Sequence, residues 1–140
     1  MSLEKNKAVI QREIDFWNGH HADKISEVYA DDYVGHEAGG AHDGNRDQVK
    51  QAAAAIFAAF PDFHLTADLL IAEGDMVVKR WTARSTHKGE YMGIPPTGKA
   101  IVVVGCNVLR IEGDKIAECW AHTDMLGMLQ QLGVIPPMGG

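Results

Sequence analysis

Near the C-terminal end of the sequence, four side chains have the types and spacing of an acid–base site. In Lys115-Ile116-Ala117-Glu118-Cys119-Trp120-Ala121-His122-Thr123-Asp124 the pattern predicts a strand, whose alternate residues share a face. Glu118, Trp120, His122 and Asp124 are therefore expected on one side, together with Ile116. If that side lines a hollow, the Asp124 carboxylate sits beside an imidazole and an indole with little competing water. Burial raises a carboxylate's pKa from about 3.9 towards neutrality, which makes it a more useful base for proton abstraction. The rival reading makes Asp124 the cap of the helix that begins at Met125-Leu126-Gly127, a common structural use of aspartate. His122 could equally be a core histidine bound to backbone.

Helices and then strands must position these groups. Val9, Ile10, Ile14 and Trp17 recur at helical spacing, and Asn18-Gly19 ends that segment. A shorter helix is expected around Asp23 to Tyr29. A third runs from Asn45 to Phe60, opened by an Asn45/Gln48 capping pair and stopped by Pro61. Beyond Pro61 the period changes to two. His64 to Glu73, Met76 to His87, Lys99 to Glu112 and Lys115 to Asp124 read as four strands, with hairpins at Gly74-Asp75 and Gly113-Asp114. Helices followed by an antiparallel sheet make the fold class α+β. A two-residue turn at Gly113-Asp114 would set Gly105 opposite His122 and Asn107 opposite Trp120, adding an amide to the proposed wall. The other face carries Val102, Val104, Cys106, Val108, Ala117, Cys119 and Ala121, and is also apolar. A sheet oily on both sides needs two covers, so a homo-oligomer (dimer or tetramer) through the sheet is expected.

Composition narrows the function classes. The chain has 140 residues, one domain's length, with 46% hydrophobic and 23% charged residues and a formal net charge of −6. No Lys/Arg cluster offers a stripe for phosphates, which argues against nucleic acid and anionic membrane as partners. The longest apolar run, Ala52 to Phe60, is too short for a bilayer, and the start lacks the apolar core of a signal peptide. A cytoplasmic location is the default expectation. The two cysteines, Cys106 and Cys119, form no disulfide framework and read as small buried hydrophobes. Among seven histidines no pair has ligand-motif spacing with acidic or thiol partners, so no metal is expected. His20, His21, His42 and His64 read as turn or exposed residues.

Several segments together resemble the SnoaL-like polyketide cyclases, within the broader nuclear-transport-factor-2-like fold. They include Asp32-Tyr33-Val34-Gly35-His36, Phe60-Pro61-Asp62-Phe63, Arg80-Trp81-Thr82 and Thr86-His87-Lys88-Gly89. Ala72-Glu73-Gly74-Asp75-Met76-Val77-Val78, Gly93-Ile94-Pro95-Pro96-Thr97-Gly98-Lys99, Gly113 to Trp120, and Asp124 followed by Leu126-Gly127-Met128-Leu129 and Gln131-Leu132-Gly133 complete the set. The resemblance implies a cone-shaped α+β barrel across residues 1–140 as a single domain, its helices packed on a strongly curved sheet enclosing a pocket. It implies an aspartate base at Asp124 that takes a proton from between two carbonyls of a polyketide ester, the enolate then closing a ring without metal or organic cofactor. Some cyclising relatives place a histidine on the strand that here carries Asn107, so the enolate-stabilising or aldol-protonating role would fall to His122, Asn107 or His87. His36, His87 and Tyr33 are family positions expected to shape the cavity around a small apolar substrate, with Trp81 and Trp120 as its flat walls. Tyr91 and Met92 are expected to close one end, and Arg80 and Arg84 to point outwards. Isomerisation, dehydration and epoxide hydrolysis are other chemistries of this fold. A binding module without catalysis is the rival class.

Overall fold

The computed structural model describes residues 2–36 and 44–136. His42 lies outside the described residues. Helix α1 (Leu3–Asn18) begins at Ser2, whose hydroxyl accepts the Lys5 N–H, and ends at Gly19. A 3₁₀ turn (Ala22–Lys24) leads into the single turn α2 (Ile25–Val28) and then into strand β1 (Tyr29–His36). Helix α3 (Arg46–Ala59) opens with the expected capping box, in which Asn45 and Gln48 satisfy each other's backbone N–H groups. Strands β2 (His64–Glu73), β3 (Met76–Thr86), β4 (Ala100–Glu112) and β5 (Lys115–Thr123) follow, and α4 (Met125–Gln131) comes last.

The four anticipated strands lie where the alternation placed them, and their hairpins turn at Gly74 and Gly113, both at positive φ. β1 is the element that the periodicity did not show. Only Tyr29, Tyr33 and Gly35 of that strand are buried, because it is an edge with Asp31 and Asp32 facing water. It pairs in parallel with β5, so the mixed sheet runs β1-β5-β4-β3-β2. The two ends of that order do not pair with each other, and the curled sheet stays open.

Helix α1 lays Val9, Ile10, Ile14, Phe16 and Trp17 into the concave side of the sheet, each at most 5% exposed. Burial on this scale contributes roughly 1.5–3 kcal/mol for each large aliphatic side chain. The same helix carries Glu13, fully buried, whose carboxylate accepts from Lys79 Nζ at 2.5 Å and from the Tyr29 hydroxyl at 3.3 Å. That hydroxyl in turn accepts from Trp17 Nε1 at 3.2 Å. Burial, and next the Glu13 charge, push the Tyr29 phenol well above its ordinary pKa. The phenol therefore stays neutral and keeps its proton for Glu13.

One irregularity decides which side chains reach the interior. Glu112 pairs with Lys115 and Ile111 with Ile116, but Arg110 pairs with Glu118 rather than Ala117. Ala117 is thus a bulge residue, and beyond it the strand's faces are exchanged. Gly105 lies opposite Thr123, and Asn107 opposite Ala121. Cys119 and Ala121 are buried, whereas Trp120 is half-buried and His122 exposed.

Candidate active site

Between the concave sheet face and the helices lies a cavity of about 700 Å³, counting the space open to solvent at its mouth. Trp17, Phe60, Phe63, Trp81 and Tyr91 supply its aromatic walls, and Ile101 and Val103 an aliphatic floor. The inner positions of β3 (Trp81, Ala83, Ser85) arrive there by simple alternation. Phe60 and Phe63 bracket Pro61, where α3 stops and the chain turns into β2. Tyr91 projects from the connection after β3, which is tied down by the N–H groups of Lys88 and Gly89 donating to the Ala59 carbonyl. Tyr91 is therefore at the closing end, as expected, while Met92 is 57% exposed and contributes nothing to the wall.

Polar groups on this wall are few: Ser85, Asn107 and Thr123, besides the tips of the aromatic residues. Asn107 is 1% exposed, and its Oδ1 accepts from Trp81 Nε1 at 3.2 Å. Its Nδ2 is buried with no hydrogen-bond partner. Trp81 lies directly over Gly105, where a Cβ would come within 2.3 Å of the indole ring. The missing side chain makes room for Trp81, not for His122 as the uninterrupted hairpin register implied.

The structure brings only part of the anticipated constellation together. Asn107 and Trp81 line the cavity. Trp120 and His122 do not, because the Ala117 bulge turns them to the outer face. His36 is outside too: its ring stacks on Trp120 with centroids 5.3 Å apart, and its Nε2 lies 2.6 Å from Glu118 Oε2. The His36 hydrogen bond, with Arg110 beside it, holds the Glu118 carboxyl below its ordinary pKa. Tyr33 is a core residue packed edge-on against Tyr29. His87 is also fully buried but stands behind the cavity wall, stacked on Phe60 with its Nδ1 accepting from the Thr97 N–H at 3.2 Å. Arg80 and Arg84 are exposed, as anticipated.

Asp124 is where the geometry departs furthest from the expected dry hollow. It is exposed, and Oδ1 accepts the Gly127 N–H at 2.9 Å as the cap of α4. With His122, Arg80 and Cys106 it borders a shallow hollow on the outer sheet face. Yet its chain neighbours Thr123 and Met125 both line the inner cavity, and Thr123 borders both hollows. Asp124 itself does not line the inner cavity, and no acid or histidine does so among the described residues. Nor is there any group of three or more His, Cys, Asp or Glu able to hold a metal, or any helix long and apolar enough to cross a membrane, among those residues.

The sequence pattern missed Phe60, Phe63 and Met128 as wall residues, although Pro61 marked the bend that delivers the first two. Trp17, which helical spacing put on the apolar face of α1, belongs to both core and wall.

The model of the SnoaL-like polyketide cyclases matches residues 7–132. The chain belongs to that family. Among solved structures, IdmH from Streptomyces antibioticus, named a "putative polyketide cyclase", is 31% identical with a TM-score of 0.80, over 92% of this chain and 99% of that one. AclR from Streptomyces galilaeus, named a "putative hydroxylase", is 28% identical with a TM-score of 0.87, over 97% of this chain and 89% of its own. TsrD from Streptomyces laurentii shares the fold at 22% identity and a TM-score of 0.86, over 96% of this chain and 99% of that one. No curated protein sequence matches. The SnoaL-like assignment accounts for the α+β fold, and leaves the reaction to be argued from the site.

Proposed function

We propose that this SnoaL-like protein is a cyclase-type acid–base enzyme acting on a small, apolar carbonyl compound held in the cavity. The supporting observation is that Thr123 and Met125, the chain neighbours of Asp124, both line the cavity, whose own lining carries no carboxylate or histidine. Aldol ring closure of a polyketide ester needs one proton removed from between two carbonyls, and a base in reach supplies about 10²–10⁴-fold. In the acting form the carboxylate would turn from the Gly127 N–H across Thr123 towards the substrate. The cyclase name of IdmH points the same way, whereas AclR, of similar fold, is named a putative hydroxylase.

The test follows deuterium exchange at the carbon between the carbonyls of a 2-alkyl-3-oxo ester by NMR. Wild type should accelerate exchange, and Asp124→Asn should lose about 100-fold or more of that acceleration. Acceleration that survives the substitution removes Asp124 from the role.

A second reading, a binding module, is favoured by the capping bond of Asp124 itself, which gives the carboxylate a structural use. In that case the ester binds wild type and Asp124→Asn equally, and neither protein accelerates exchange. On either reading we propose that a second copy of the chain covers the outer sheet face. Val34, Val102, Val104, Cys106, Val108 and Trp120 make that face apolar, with Val34 47% and Val102 40% exposed.

A further inference from the structure

We propose that Asn107, held by Trp81, is an oxygen-binding subsite that selects hydrogen-bond acceptors, and carbonyl oxygens in particular. The inference rests on the reading of the cavity as the place where a carbonyl compound binds, and adds what fixes its orientation. An indole N–H can only donate, so the Asn107 amide must present Oδ1 to Trp81 Nε1. The amide cannot flip without setting two donors against each other. Trp81 is itself seated on Gly105, where any side chain would collide with it. The consequence is that Nδ2, on a cavity-lining residue, is buried without a partner. A buried amide donor left unmade is costly, and an apolar wall offers it nothing. A carbonyl oxygen seated against this wall, with a small shift of the side chains that cover Nδ2, would satisfy it.

The subsite has a definite chemical character. An amide N–H donates a hydrogen bond without surrendering its proton, so Asn107 would stabilise negative charge gathering on an enolate oxygen as an oxyanion hole does. It could not protonate the aldol product, a step that must fall to another group or to water. Substrate choice follows as well. A site that hydrogen-bonds an oxygen discriminates against the analogue lacking it far more strongly than an apolar wall discriminates between shapes.

Acetophenone and α-methylstyrene differ mainly in having oxygen or a methylene group at the same position. Equilibrium binding of this pair reads the preference without requiring turnover. Wild type should prefer the ketone, and its bound carbonyl stretch should lie below that in cyclohexane. Asn107→Leu should reduce the ketone-to-alkene preference by about tenfold or more while still binding the alkene. Trp81→Phe, which frees the amide to rotate, should reduce it in part, and it serves as the readout if Asn107→Leu fails to fold. Asp124→Asn should leave the preference intact. Loss of exchange with the preference retained would thus separate the base from the subsite. An unshifted carbonyl stretch in wild type, or a preference unchanged in folded Asn107→Leu or Trp81→Phe, overturns the proposal.

Discussion

Asp124 holds two jobs in a single side chain, and substitution can separate them. Asparagine caps a helix about as well as aspartate, whereas alanine does not. Asp124→Asn should therefore unfold within about 0.5 kcal/mol of wild type, and Asp124→Ala about 1 kcal/mol below it, in urea denaturation. Loss of proton exchange in both variants would assign it to the carboxylate; loss in the alanine variant alone would assign it to the fold of α4. The buried pair of Glu13 and Lys79 makes a different residue-scale prediction. Removing one partner strands a charge in the core, so Lys79→Met should cost about 3–5 kcal/mol. Adding Glu13→Gln, which keeps an acceptor for the Tyr29 hydroxyl, should recover most of that loss. A single-variant cost below about 1 kcal/mol in the same denaturation would show that the charges are not paired in the core as described.

At the scale of elements, the Ala117 bulge divides what was legible in the sequence from what was not. Strand limits, hairpins and the α3 capping box follow from local chemistry, and each of these expectations agrees with the structure. The facing of Trp120 and His122 does not, because one unpaired residue upstream reverses every later position of β5. Nothing in Lys115 to Asp124 signals the bulge locally; it is set by the pairing with β4 on one side and β1 on the other. Strand β1 was illegible for a related reason, since an edge with two aspartates lacks apolar alternation. Deleting Ala117 removes the extra residue and leaves Ile116 opposite Ile111 and Glu118 opposite Arg110, so Cys119 and Ala121 should stay inside and Trp120 and His122 outside. We expect a folded variant with the tryptophan emission of wild type. A deletion variant whose emission shifts as Trp120 turns inwards would mean that the bulge does not set the facing.

For the whole molecule, the sheet raises a question of covering that one chain leaves open. Its concave side is closed by α1, α3 and the cavity's own walls, but its outer side presents a band of valines with Cys106 and Trp120. Around that band charges of both signs occur in pairs, Arg80 with Asp68 and Arg110 with Glu112 and Glu118. A second copy turned about a two-fold axis brings apolar band to apolar band and can set each sign against its opposite. A standard interface takes about 800 Å² per partner, on the order of a tenth of the chain's 7243 Å². Light scattering should then give a whole-number multiple, two or four, of the 15.3 kDa chain. Val34→Glu combined with Val102→Glu places two charges on that band without entering the core. It should yield a folded monomer, with unchanged circular dichroism and an intact preference for acetophenone in the cavity on the opposite side of the sheet. A monomeric wild type at micromolar concentration, or an oligomer indifferent to both glutamates, would show that the outer face is not where the copies meet.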